Sequence, residues 1–570
     1  MKKIITLIGL IFIVFSCSNE QTKKPIAIGG PKYGGTLKIL FNEKINAIFP
    51  LSIESVTQQR LTNQIFETLL KFDFEGEKIT PALCESFQVD KEGKTYTFKI
   101  RKNVYFHDDA CFINGVGRQL TAEDVKYSLE FACSGLPENK AIPIFEKIIL
   151  GADDFLKKTE FEIGKNSVAG IKVIDKFTLS ITLNSSFGYF EKMLTHPGLG
   201  IFPREAFEKY GNQIEKHPVG TGAFKLDSWT DKEVKLARND KYWKKDNFGN
   251  QLPYLDEVSV HYSKSKKAEL EAFRQENIDL ILDIPANEIE NTIGTLQEAQ
   301  AGKNVKHKLY SKKSLSVNFL TYTNHIAPFN DADVRGAFNA AIDRNKLIKN
   351  GLNGQGYPII NGFVPAIDGY PADQITRQRF DLELAQRLLA KAGFPNGEGF
   401  PVVSIYTAAS EGSTSIKLIY EFQKQIKDNL NIDLQIIFGS QKEKKQAIAE
   451  NKPIIWKNAW VADYPDPLNF LEIFGTFNPI SSFSFDSKEN SEIYSKLLTE
   501  AKLERDDEKR NDLYLKCDQM IVDYLPVILL YNDDFISMVN AKVRNFKTNS
   551  MEQLDFSTIF ISGNQRAVDK

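Results

Sequence analysis

The run APFNDADVRGAFNAAIDR, Ala327 to Arg344, decides how this chain is read. Pro328 has no N–H to give a helix, and Asn330 and Asp331 are good capping residues, so the run reads as a loop entering a helix. Apolar positions then fall at Val334, Ala337, Phe338, Ala341 and Ile342, one stripe at helical spacing. Arg335, Asn339 and Arg344 are left for polar work.

On either side, strand-like and helix-like patterns alternate, which predicts a mixed α/β class. Phe87 and Val89, a turn at Asp90-Lys91-Glu92-Gly93, then Tyr96, Phe98 and Ile100 read as a period-two hairpin. Thr121 with Asp124 three residues on reads as a capping box, Asp standing in for Glu, with Val125, Leu129 and Ala132 as the buried face. Gly220-Thr221-Gly222 is a tight turn into a strand ending at Trp229, and Asp231-Lys232 turns it back. A helix over 381–392 stops at Gly393 with Pro395 beyond. Pro526 ends a later helix whose stripe is Leu513, Cys517, Met520, Ile521 and Tyr524.

These landmarks carry a resemblance. PFNDADVRGAFNAAIDR is similar to the PF-x-D-x-x-VR-x-A-x-x-x-AIDR run of the family 5 extracellular solute-binding proteins, the dipeptide- and oligopeptide-binding components of ABC importers. PALCESFQVDKEGKTYTFKIRKNVYFHDD (Pro81 to Asp109), LTAEDVKYSLE, PVGTGAFKL, ARNDKYW, PYLDEV, FDLELAQRLLAKAGFPNGEGFP and WVADYPDPLNFL follow in the family's order, from about Gly34 to Tyr531. Two places depart from it. DACFINGVGR, residues 109–118, is longer than the family's short connection, and Cys84 replaces a common Ala.

The resemblance implies a two-lobe periplasmic-binding-protein fold with an extra domain and a hinge of crossing strands. Residues 34–60, 195–310 and 526–562 would form domain I, 61–194 domain II and 311–525 domain III, after a signal segment at 1–17 and a tether at 18–33. It also implies capture of di- or oligopeptides in the cleft, delivery to a permease and ATPase complex, and a monomer without cofactor. Another solute (nickel chelate, haem or oligosaccharide) is the alternative, with a secreted peptidase or surface sensor behind it.

Composition sets bounds of its own. About 550 residues after a leader exceed what one core supports. Without Lys2 and Lys3, 70 of the 72 basic side chains face 74 acidic ones, and no basic excess points to nucleic acid. Lys2-Lys3, the apolar run Ile4 to Phe15 and Ser16-Cys17 read as an export signal with a lipid-attachment cysteine. That run is too short to span a bilayer. The polar segment Ser18 to Lys24 suits a tether, so a protein outside the cytoplasm, lipid-anchored through Cys17, is expected; a plain signal peptide is the other reading. Cys84, Cys111, Cys133 and Cys517 show no metal-ligand spacing. Cys517 reads as a buried thiol, while a bridge between Cys111 and Cys133 stays open.

No HExxH, G-x-S-x-G, Walker loop or GxGxxG occurs, so no catalytic or metal-binding residue is assigned. An extended peptide needs backbone partners and an anchor for its ammonium, which a sheltered carboxylate supplies. By resemblance Asp463 is that carboxylate, with Asp466 capping a turn. Lys457 falls where some relatives hold the peptide carboxylate, and reads equally as a solvated lysine; Trp456 and Trp460 either pack the domain or floor the cleft, and Tyr464 is a further aromatic candidate for it. His107 reads as structural.

Overall fold

The computed structural model describes residues 26–41, 43–74, 78–139, 145, 147–160, 163–164, 166–263, 266–282, 284, 307–407, 414–474 and 485–562. Cys17, the export signal and most of the expected tether lie outside them. No helix among the described residues is long and apolar enough to cross a membrane.

Three larger sheets organise the described residues, in keeping with the mixed α/β expectation. The largest has seven strands in the spatial order His307–Lys313, Asp534–Asn540, Leu280–Leu282, Thr36–Phe41, Glu257–Tyr262, Glu233–Arg238 and Phe224–Trp229. Thr36–Phe41 runs parallel to both of its neighbours, and the remaining pairs are antiparallel. The second has six, ordered Tyr357–Pro358, Val527–Asn532, Ser316–Tyr322, Ile454–Val461, Val403–Thr407 and Leu434–Phe438. The third is a four-stranded antiparallel sheet of Cys84–Val89, Thr95–Ile100, Thr178–Thr182 and Ile171–Asp175.

The chain passes between the two larger sheets twice, and the passages lie side by side. One is Ser314-Leu315, between the strands ending at Lys313 and starting at Ser316; the other is Asp533, between Val527–Asn532 and Asp534–Asn540. Ser314 N donates to Asp533 O at 3.0 Å, and Asp533 N donates to Ser316 Oγ at 3.0 Å. The Asp533 carboxylate accepts from Asn318 Nδ2 at 2.7 Å and from Ser316 Oγ at 3.0 Å. Short polar side chains here satisfy the backbone groups that a break between sheets leaves without a ladder partner.

Local expectations hold where a single side chain decides them. The hairpin pairs Phe87 with Phe98, their rings 5.6 Å apart. Thr121 caps the helix Ala122–Ala132, its backbone N–H donating to Asp124 Oδ2 at 2.8 Å. The helix Leu382–Lys391 starts at an Asp381 cap and stops before Gly393, whose φ of +93° suits glycine. The long 109–118 loop ends in Arg118, whose guanidinium binds both Asp124 and Glu205, with a closest approach of 2.6 Å to each. His107 is buried between glycine turns, with Nε2 2.9 Å from Gly222 O, and burial pushes its imidazolium down to about 4. It is structural, as read. Cys84, Cys111, Cys133 and Cys517 are free thiols, so Cys111 and Cys133 do not form a bridge; Cys517 is buried, as its stripe predicts.

The opening stretch needs a correction. It forms two helices, Ala332–Ala340 capped by Asp331 and Arg344–Gly351 capped by Asp343, rather than one. Asp343 accepts from Asn345 N and Lys346 N at 3.0 and 3.1 Å, so its carboxylate starts a new helix where the stripe predicted continuation. Its polar residues do their work inside the fold. Arg335, Asn339 and Arg344 are all buried. Arg335 binds Asp486 Oδ2 at 2.6 Å, Phe329 O at 2.9 Å and Tyr524 O at 3.2 Å. Arg344 donates to Leu529 O and Asn339 Oδ1, both at 2.6 Å. The two guanidiniums therefore tie this helix pair to the strand and helix that precede the return crossing. A second core lies around them, with Val334, Phe338 and Phe422 packed against Leu320, Ile405, Ile455 and Ile528 of the six-stranded sheet.

Arg335→Ala removes the ion pair to Asp486, which keeps only its bond from Asn490 Nδ2, and takes the guanidinium donor from two carbonyls. It should lower unfolding free energy by about 3–5 kcal/mol, read from denaturant midpoints. Asp518 supplies a pH test. Fully buried, it accepts from Phe363 N at 2.6 Å and Tyr370 Oη at 2.9 Å, and burial pushes its carboxyl up to about 6. The folded chain then holds this proton between about pH 4 and 6 where the unfolded chain has lost it, so stability falls as pH rises through that window. At about 1.4 kcal/mol per pH unit, the loss is about 3 kcal/mol. Asp518→Asn should flatten that slope; an unchanged slope refutes the assignment.

Candidate functional site

A cavity of about 570 Å³ opens where the seven-stranded sheet meets the crossing. Phe41 and Leu282, at the ends of parallel strands, line it from one side, and Val461 and Asp533 from the six-stranded sheet and its return. Arg60 and Glu552 join its wall as an ion pair of 3.1 Å, with the Arg60 guanidinium 4.9 Å from the Phe535 ring centre.

The strand Ile454–Val461 leads into this space. On one side it pairs with Ser316–Tyr322 from Ile455 to Val461. On the other it pairs with Val403–Thr407 only from Ile454 to Trp456. Among the described residues, no strand pairs with that second edge from Lys457 to Val461. An interior strand thus becomes an edge strand over its last five residues, with unused backbone donors and acceptors.

Side chains along it separate by alternation. Trp456 is 3% exposed and packs with Ala447, Ile448 and Ile454, so it belongs to the interior rather than to a cleft surface. Lys457 donates to Asn318 Oδ1 at 2.6 Å, and Asn318 in turn donates to Asp533; burial holds the Lys457 ammonium below its ordinary pKa. Trp460 is half-buried, with Nε1 donating to Asn469 Oδ1 at 3.2 Å. Tyr464, 5% exposed, donates to Glu472 Oε1 at 3.1 Å and also belongs to the interior.

Asp463 differs from all of these, its side chain being 48% exposed. Its N–H donates to Asn469 Oδ1 at 2.9 Å, which fixes the loop, and its Oδ1 lies 3.7 Å from His196 Nε2. His196 Nδ1 accepts from Gly198 N at 2.9 Å, so Nε2 carries the hydrogen that faces Asp463. Protein atoms around the carboxylate oppose ionisation, but the interactions with His196 and Asn469 outweigh them and hold the carboxyl below the usual range. Asp466 is buried, accepting from Leu468 N at 2.9 Å and Lys192 Nζ at 2.7 Å. It caps a turn, as read, and also bonds a lysine from a different part of the chain.

Asp463, Trp460 and Asn469 are thus brought together at one end of the open edge, and Lys457 stands at the other end with Asn318 and Asp533. Sequence reading missed Asn318, Asp533, His196 and Lys192. Each acts across a fold contact, and no local pattern marks it. Among the described residues, no cluster of His, Cys, Asp or Glu is arranged to hold a metal.

Comparisons with known proteins show the family and the fold. The chain is 25% identical over 502 residues to the periplasmic oligopeptide-binding protein OppA of Salmonella typhimurium, covering 86% of this chain and 85% of that one. The structure of DppA, an ABC transporter-associated periplasmic binding protein from Helicobacter pylori in complex with peptide STSA, superposes with a TM-score of 0.72. It is 25% identical, and the match covers 93% of this chain and 99% of that one. A periplasmic oligopeptide-binding protein from Borrelia burgdorferi gives a TM-score of 0.73 at 27% identity, covering 93% and 100%. Residues 78–482 match the family model itself, and the chain belongs to the bacterial extracellular solute-binding proteins, family 5.

Proposed function

We propose that this chain captures peptides between its two larger lobes and presents them to an ABC permease. Membership of a solute-binding family makes it a binding protein rather than an enzyme. The observation that carries the peptide reading is the open edge from Lys457 to Val461, which ends two residues before an ionised, solvent-facing carboxylate. A peptide added as a strand there satisfies its backbone on that edge whatever its side chains. Its ammonium then reaches Asp463, where a charge-assisted bond replaces the weaker contact with His196. Lys457 is the counterpart for the peptide carboxylate, an exchange that requires it to leave Asn318. The names of the matched proteins, one of them solved with a bound peptide, support the same solute class.

The reading extends to the N-terminus. Lys2-Lys3, the apolar run to Phe15 and Ser16-Cys17 make the chain an exported lipoprotein held at a membrane surface through Cys17.

Asp463→Asn should weaken peptide binding by about 1.5–3 kcal/mol, the range for a hydrogen bond to a charged group. Calorimetry with short peptides checks this, and equal affinity in wild type and variant removes Asp463 from the site. Cys17→Ser should move the protein from the membrane fraction to the soluble fraction with peptide affinity unchanged. A variant that still sediments with membranes refutes the anchor.

A further inference from the structure

A further cavity, of about 340 Å³, reaches Thr195 and Pro197, on either side of His196. All its lining residues come from 63–244 and 553–557, so the six-stranded sheet contributes nothing to it. Five charged side chains converge there: Lys71, Arg101 and Lys244 against Glu67 and Asp555.

The two carboxylates already have partners. Glu67 accepts from Trp243 Nε1 at 3.0 Å, Tyr242 Oη at 3.1 Å and Thr221 Oγ1 at 2.9 Å. Asp555 accepts from Ser557 N at 2.8 Å and Ser557 Oγ at 2.5 Å, and lies 3.9 Å from Lys244. The cations are less well provided. Arg101 uses Nε on Ala82 O at 2.6 Å, while its guanidinium stands 4.5 Å from the Trp243 ring centre. Among the described residues, no carboxylate lies within ion-pair distance of Lys71 or Arg101. A half-buried ammonium without an anion is costly. Burial and the adjacent Lys244 push the Lys71 ammonium down to about 8, despite the pull of Asp555 and Glu67.

We propose that this cavity is a second ligand site, taking a small organic anion whose carboxylate or phosphate group lies between Lys71 and Arg101. The guanidinium supplies a planar pair of N–H donors suited to either oxyanion, and the ammonium supplies a point charge. Phe66 and Phe72 in the same wall give a flat apolar body its contact. The volume falls at the small end of ordinary ligand pockets, enough for a single ring with one charged group. This site stands independently of the role given to Asp463.

The test is calorimetric titration of the full chain with phenyl phosphate and, separately, with phenylacetate. Saturable binding of one molecule per chain by either probe is expected, weakened roughly tenfold or more in Lys71→Met and largely retained in Lys71→Arg. Affinity for the wild type should also fall as pH rises through about 8, where Lys71 releases its proton. Thermal unfolding of each variant checks folding. Should Lys71→Met not fold, Lys71→Arg and the wild-type pH profile carry the decision. Absence of saturable binding by both probes, or an affinity indifferent to both residue 71 and pH, overturns the proposal.

Discussion

The arrangement depends on the Asp533 carboxylate, which pins the two passages of the chain between its larger sheets. It accepts from Ser316 Oγ and Asn318 Nδ2 on the outgoing strand, while its own backbone N–H and C=O bond to the residues around Ser314. A crossing strand leaves one ladder before it enters the next, so its polar groups need local partners. One carboxylate between two adjacent passages meets that need. It also fixes where the seven-stranded and six-stranded sheets meet, and hence where the cavity opens.

The open edge follows from the same constraint. Ile454–Val461 is held in register by Ser316–Tyr322, the strand that has just crossed. Its other neighbour, Val403–Thr407, covers only the first three residues, so the edge is free where the strand nears the crossing. Asn318 links the two features, accepting from Lys457 while donating to Asp533. Position of the cleft and availability of backbone inside it are therefore one structural fact.

Buried charge is used in two ways. Arg335 and Arg344 are spent within the fold, each guanidinium satisfied by carbonyls and a side-chain oxygen, so they order the helix pair against the return strand. Asp463 is 48% exposed, and Lys71 and Arg101 line a cavity. Under the proposed functions, satisfaction of partners, rather than residue type or depth, separates framework groups from those left for a ligand.

The sequence by itself determined whatever depends on a few consecutive residues. The hairpin around Gly93, the Thr121 cap, the Gly393 stop and the buried Cys517 stripe were all legible, because turn, cap and helical spacing are local properties. Motif order carried the family and the fold, and it singled out Asp463. It could not tell that Tyr464 turns inward to Glu472, since that residue lies past the strand end at Val461 and its partner depends on how the loop packs. Nor could it show that Arg335 is interior, or that His196 faces Asp463. Those outcomes depend on which distant segments pack together, and only the tertiary structure decided them, because a polar group's partners are set by where the chain returns.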